Sequence, residues 1–167
     1  CGGERLNVTN CETIRVLADL GVRQVTLSPE LNLHELSLLC GASCLPTEII
    51  VYGRLPVMLM ENCVMKSAYR CTKGESNFEL QDRKGERFAL VCEGCRNVLL
   101  NSVPIYMADK LNDVINVHPA AIRLMFTTES KEQCKKVISA YQAAMNGKQP
   151  GILFDRITRG HFYRGVE

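Results

Sequence analysis

The sequence predicts an α/β fold, a partial TIM-like (β/α) barrel that carries a cysteine-bearing β-hairpin insertion. Strand-like and helix-like segments alternate over residues 6–52, which is typical of parallel strands joined by crossover helices. About four βα units make half of an eight-unit barrel, whose usual length is roughly 250 residues. We therefore expect residues 1–167 to form a single domain, either the second half of a larger barrel or a smaller open α/β layer.

Apolar periodicity and capping residues define the elements of the first half. Asn10 and Asn32 are suited to cap helices, and Gly21 and Gly41 lie near the predicted helix ends. The predicted strands are 6–10, 22–27 and 48–52, and the predicted helices are 12–20 and 33–39.

The second half begins with a stretch, residues 48–97, that we expect to contain a strand, a loop and a hairpin. Apolar runs follow at 98–100 and 104–106. We then predict a helix at 107–117, a strand at 121–126 and a long helix at 129–145. The tail, residues 158–165, reads as too polar for a core element.

The composition is that of an ordinary soluble globular protein, with 46% hydrophobic and 23% charged residues. A net charge of +2 is too small to indicate a polyanion partner by itself. No apolar run is long enough to span a bilayer, and the start does not resemble a signal peptide. We expect a cytoplasmic protein without a membrane partner. The start at Cys1-Gly2-Gly3 suggests a fragment whose partner is the N-terminal part of the same barrel.

Cysteine is the residue type that points most directly to chemistry. Nine cysteines cannot all pair, so free thiols or metal ligands are favoured over a disulfide framework. Cys63 and Cys71 form a loose pair, and Cys92 and Cys95 form a tight Cys-x-x-Cys pair. Such a set suits an iron–sulfur cluster or a structural zinc, although buried, unligated thiols are the alternative.

Cys40 and Cys44 are rival ligands at the end of a predicted helix, and packing is the favoured role for Cys40. Three other residues are candidates for catalysis or binding. Arg54 follows the strand at 48–52 and could hold an anion, or it could be a solvated loop arginine. Glu30 could be an acid, base or ligand, or it could cap a helix. His161 has a polar, glycine-flanked setting, but a lone histidine is more often structural.

Hydrolase motifs do not appear. The sequence lacks His-Glu-x-x-His, Gly-x-Ser-x-Gly and any assignable Cys–His pair. Eight basic and six acidic residues surround the cysteines, which is a weak electrostatic footprint for RNA.

Several blocks of the sequence, in one order along nearly the whole chain, resemble the collagenase-like peptidases of unassigned catalytic type, in particular the long members whose barrel is followed by further domains. The blocks are Asn7-Val8-Thr9-Asn10, Leu27-Ser28-Pro29-Glu30-Leu31, Val51-Tyr52-Gly53-Arg54-Leu55-Pro56-Val57-Met58 with Cys63, Asp82-Arg83-Lys84-Gly85 with Phe88, Asn101-Ser102, and Thr158-Arg159-Gly160-His161 with Arg164-Gly165-Val166.

The resemblance implies a TIM-like barrel, and the family's name implies proteolysis of collagen-like substrates. Other members resemble factors that hydroxylate a pyrimidine of tRNA or ribosomal RNA, or that assist ubiquinone synthesis, and their cysteines bind an iron–sulfur cluster. Many short members have a His-Gly…Cys block where this chain has Tyr52 to Pro56, so Pro56 replaces one thiol while Cys63 is kept. This departure weakens any histidine-based role at that position.

Together these observations favour an enzyme over a non-catalytic domain. We expect an iron–sulfur protein, with a [4Fe–4S] cluster on Cys63, Cys71, Cys92 and Cys95, that acts in RNA base hydroxylation. The alternatives are a peptidase and a domain in which zinc only stabilises the loop.

Overall fold

The computed structural model describes residues 1–68 and 78–165. The α-helices are α1 (Cys11–Asp19), α2 (Leu33–Ala42), α3 (Val64–Ala68), α4 (Leu111–Ile115) and α5 (Lys131–Met145). The strands are β1 (Val25–Thr26), β2 (Thr47–Gly53), β3 (Pro56–Met60), β4 (Phe78–Gln81), β5 (Arg87–Glu93), β6 (Arg96–Leu100), β7 (Ile105–Tyr106) and β8 (Ala121–Met125). No helix in these two ranges has the length and apolar character needed to cross a membrane.

The first sheet is mainly parallel, as the alternating pattern predicts. β2 is its central strand and pairs in parallel with β1 and β8, while β7 runs antiparallel beside its carboxyl end. A parallel bridge between Val8 and Leu27 extends the sheet beyond β1. The α/β class is therefore confirmed. The strands of the described ranges do not close into a barrel, so the partial TIM-like barrel stays a prediction.

The helices begin where side chains satisfy free backbone N–H groups. The Asn10 side chain accepts a hydrogen bond from the Thr13 amide at 2.8 Å, and Asn32 forms a reciprocal capping box with Glu35. Both caps were predicted from the sequence. Ser130 caps α5 in the same reciprocal way, so this helix begins after residue 130 rather than at 129.

Three predicted elements differ from the structure. The strand at 6–10 is replaced by a 3₁₀ turn, Glu4–Leu6, and a single bridge at Val8, because Asn7 adopts a left-handed conformation with a φ of 46°. The strand at 22–27 is shorter, and the helix at 107–117 divides into a 3₁₀ turn, Ala108–Lys110, and α4.

The core lies between the parallel sheet and its helices, and Tyr141 of α5 connects the two layers. A bulge in β2 leaves Val51 without a partner residue in β8. The Tyr141 hydroxyl donates to the Val51 carbonyl at 2.6 Å and accepts from the Met107 amide at 2.9 Å. Tyr141 thus fixes the carboxyl end of β2, from which the chain enters the second sheet.

The second sheet is antiparallel, in the order β3-β6-β5-β4, and is inserted between β2 and β7. Its central hairpin joins β5 to β6 through Gly94 and Cys95, whose φ values of 55° and 67° are those of a type I′ turn. The hairpin expected from the sequence within residues 48–97 corresponds to β4 and β5, with Cys92 on β5, and β6 and β3 extend it to a four-stranded sheet.

The tail packs more closely than its polarity suggested. Thr158 forms a parallel bridge with Ile105, and Phe162 is buried in the main core. The Arg159 guanidinium makes a bidentate pair with Asp109, at 2.6 and 2.7 Å, and also donates to the Tyr106 carbonyl. The expectation that residues 158–165 lie outside the core was wrong, because backbone pairing and one charged pair satisfy their polar groups.

Candidate functional site

A cleft lined by both polar and apolar residues lies at the carboxyl end of the parallel strands, where α/β proteins bind their ligands. We call it the rim cleft, and its volume is about 380 Å³. The residues of its wall that matter here are Arg5, Glu30, Pro56, Val57, Asn101 and His161. Glu30 and His161, two of the candidates predicted from the sequence, therefore line the same cleft although they lie 131 positions apart in the chain.

The third candidate, Arg54, lies beside the rim cleft. One of its terminal nitrogens, Nη1, donates to the backbone carbonyls of Asn101 and Ser102, the first at 3.0 Å. Asn101 itself lines the rim cleft. Arg54 thus holds the segment between β6 and β7, and it also lines the cavities on the other side of that segment.

Tyr52 lies two residues before Arg54. Many short members of the family that the sequence resembles have histidine at this position. Its side chain is fully buried, and its hydroxyl donates to Glu129 at 3.0 Å. Burial, reinforced by the Glu129 carboxylate, raises the pKa of Tyr52 above its ordinary value. Tyr52 therefore acts as a protonated packing residue and not as an acid or base in the cleft.

The cysteine hairpin touches the rim through one ion pair. Arg5, on the wall of the rim cleft, donates to Glu93 at 2.8 Å. Glu93 is the residue after Cys92 and is the last residue of β5. Both side chains are about half exposed, so the pair adds little stability and marks a point of contact between the hairpin and the rim.

Asn97 contacts both the strand that carries Cys92 and the loop that carries Cys63. Asn97 is fully buried on β6 and pairs with Cys92 on one side and Met60 on the other. Its side-chain carbonyl accepts a hydrogen bond at 2.7 Å from the Val64 amide, the residue that follows Cys63. Asn97 is therefore the residue that connects the Cys63 loop to the Cys92 strand.

The two remaining predicted ligands are Cys71 and Cys95. Cys95 is exposed in the turn after Cys92. Cys71 lies outside the described residues. Within residues 1–68 and 78–165, no three His, Cys, Asp or Glu side chains are close enough to hold a metal ion. The four-thiolate site therefore stays a prediction.

The donor chemistry of this hairpin nevertheless fits a soft metal centre. Cys63 and Cys92 are half-buried free thiols placed around one buried amide, and thiolates are the ligands that iron–sulfur clusters and structural zinc use. The rival thiols do not share this arrangement. Cys40 accepts a hydrogen bond from Thr47 at 3.2 Å and packs against the core, where burial raises its thiol pKa. Cys44 is exposed elsewhere.

A buried polar group at the opposite end of the strands was not anticipated. Glu48 of β2 accepts hydrogen bonds from Thr26 at 2.8 Å and from Arg123 at 2.6 Å. This group joins β1, β2 and β8, and its Arg123 also lies 3.9 Å from Glu4, which lines the rim cleft. We assign it to stabilisation of the sheet. A glutamate at the start of an otherwise apolar strand was the available signal.

The fold and the site together define a class: an α/β protein with a cleft at the rim of its parallel sheet and a thiol-bearing antiparallel sheet attached to that rim. The family profile described as Peptidase family U32 matches residues 4–151. The chain belongs to this family, as the sequence blocks indicated. Neither the search of curated proteins nor that of solved structures found a match.

Proposed function

We propose that this chain is an iron–sulfur member of peptidase family U32 that acts in the hydroxylation of a pyrimidine base in RNA. Its cluster would be held by Cys63, Cys71, Cys92 and Cys95. Hydroxylation replaces a ring C–H bond by C–OH, so an oxygen-atom donor has to supply the oxygen and accept the two electrons that leave the base. A cluster bound in the hairpin would hold or activate that donor.

The observation that carries this proposal is the Arg5–Glu93 ion pair between the hairpin and the rim cleft. In this pair, the strand that bears Cys92 contacts the wall of a cleft that is large enough for a nucleobase and has both polar and apolar lining residues. Within that cleft, Glu30 and His161 are the groups that would accept or donate protons at the base. Asn101 would orient its polar edge.

The first test is the metal content of the full chain purified without oxygen. We expect iron and acid-labile sulfide with a broad visible absorption. Both should be lost in Cys63→Ala and Cys92→Ala and retained in Cys44→Ala, which removes an exposed thiol outside the hairpin. Zinc without iron would show that the site is only structural, and a metal-free protein would refute the proposed iron–sulfur cluster.

Asn97 provides a second test that leaves every thiol in place. Asn97→Ala removes the acceptor that holds the Val64 amide, so the hairpin should lose most of its iron. Asn97→Asp keeps an acceptor oxygen and should retain more iron than the alanine variant. Equal iron in both variants would show that Asn97 does not position Cys63.

Peptide hydrolysis is the second candidate, and family membership favours it. Glu30 and His161 in one cleft are the groups that would activate water. Cleavage of labelled gelatin that is lost in His161→Ala but survives in Cys63→Ala would establish this alternative. Increased hydroxypyrimidine in RNA, read by nucleoside mass spectrometry and dependent on Cys63, would establish the first.

A further inference from the structure

Arg54 is held in place by neutral groups and retains unused donors. In the described part of the chain, Nη1 alone is engaged, by the Asn101 and Ser102 carbonyls. Among the same residues, Nε and Nη2 have no hydrogen-bond partner, and no carboxylate pairs with Arg54. A guanidinium presents five N–H donors in a rigid planar fork, so this anchored residue has a free edge for an anion.

Arg54 borders a second cleft, which lies where the two sheets join and is distinct from the rim cleft. This junction cleft has a volume of about 490 Å³, and Arg54, Arg87 and Arg156 line it together with two carboxylates, Glu86 and Asp155. Arg54 and Arg87 also line a neighbouring cavity of about 290 Å³, where Glu79 is the acidic residue.

Two of the nearby carboxylates, Glu86 and Glu79, face the outer arginines, while Asp155 also lines the junction cleft. Arg156 pairs with Glu86 at 2.7 Å. Arg87 is 3.8 Å from Glu79, beyond hydrogen-bond distance, and its side chain is 70% exposed. Among the described residues no carboxylate forms an ion pair with Arg54, and the exposed Arg87 side chain is free to turn towards a ligand in the cleft.

We infer that Arg54 and Arg87 bind a phosphate group in the junction cleft, and that this phosphate belongs to the backbone of the RNA substrate. The first part rests on the geometry of the two arginines, because a planar guanidinium matches two phosphate oxygens. The second part rests on the proposed function. A strand of RNA held here by its backbone would reach the rim cleft across the Asn101–Ser102 segment, which lines both clefts.

The test measures binding of a short fluorescein-labelled oligouridylate to the full chain by fluorescence anisotropy at several salt concentrations. Arg54→Met and Arg87→Met should each weaken binding, about ten-fold for Arg54. Each should also make the slope of log affinity against log salt shallower, by about 0.7 for each phosphate that the variant no longer neutralises. Arg15→Met is the matched control, because Arg15 is an exposed arginine on α1 that pairs with Glu12.

Arg54 also anchors a loop, so its variant is checked by circular dichroism. If Arg54→Met does not fold, the exposed Arg87→Met carries the test. Cleft variants that bind like Arg15→Met overturn the inference. Binding of inorganic phosphate that depends on Arg54 and Arg87, without binding of oligouridylate, would keep the phosphate site but refute its RNA source. Equal displacement of the oligouridylate by polyglutamate would overturn the phosphate assignment.

Iron is measured on the same samples, so the two proposals can fail separately. Protein without iron that still binds oligouridylate through Arg54 refutes the cluster and keeps the phosphate site. Protein with iron whose binding is indifferent to both arginines refutes the phosphate site and keeps the cluster.

Discussion

Tyr141→Phe should destabilise the fold far more than the loss of one oxygen atom suggests. The substitution keeps the ring and its packing but removes the hydroxyl that bonds the Val51 carbonyl and the Met107 amide. Val51 and Met107 are both fully buried, so water cannot replace the missing partner. The bulge in β2 is the reason that the Val51 carbonyl depends on a side chain.

The magnitude follows from the two hydrogen bonds. An orphaned buried N–H group costs about 1–3 kcal/mol, and removal of the bond to the carbonyl adds about 1 kcal/mol. We therefore expect the free energy of unfolding to fall by about 2–4 kcal/mol. With a urea m-value of about 2 kcal/mol/M for a chain of this size, the unfolding midpoint should fall by about 1–2 M.

Tyr163→Phe is the matched control, because it removes a hydroxyl that bonds Asp113 at a side chain that is 51% exposed. Its free energy of unfolding should change by about 0.5 kcal/mol or less. If the two variants have equal urea midpoints, the Tyr141 hydroxyl does not support the bulge, and our account of the end of β2 is refuted.

Two further predictions concern the backbone and a charged pair. Gly53→Ala should lower the melting temperature by roughly 6–12 °C. The reason is that Gly53 has a φ of 136° and that an added Cβ would lie 2.4 Å from the Met125 carbonyl oxygen. The control is Gly41→Ala, in open space on α2, which should raise the melting temperature slightly. The Arg159 guanidinium holds the pKa of Asp109 below its usual range, so this carboxylate's contribution is complete above about pH 4 and is lost as the pH falls through the folded-state value. The difference in urea midpoint between the wild type and Asp109→Asn should therefore shrink on acidification, and a constant difference would contradict the assignment.

The sequence predicted elements best where the deciding interaction is local. Asn10 and Asn32 cap helices through bonds to residues three positions away, so the signal lies within one short window. The predictions from the sequence are wrong where contacts between distant segments determine the structure. The strand at 6–10 fails because Asn7 turns left-handed, and residues 158–165 enter the core only because β7 offers them a pairing edge.

The candidate site divides in the same way. Glu30 and Arg54 could be placed on one rim, because the carboxyl ends of parallel strands always meet on one side of a sheet. His161 could not be placed there, since its segment is positioned by a bridge to Ile105 and by the bidentate pair between Arg159 and Asp109. These interactions join segments about fifty residues apart, and no periodicity in the sequence indicates them.

The role of Asn97 depends on the register of the hairpin. Because side chains alternate along a strand, a shift of β6 by one residue against β5 would move Asn97 to the other face and leave Cys92 opposite a different neighbour. The two-residue turn at Gly94 and Cys95 fixes that register, since both positions require a positive φ. Cys95 therefore occupies a turn position that glycine also suits, besides being a predicted ligand. Cys95→Gly, which suits the turn but removes the sulfur, should keep the Cys63–Cys92 arrangement while removing one thiolate, so folding unchanged with iron reduced would separate the two roles.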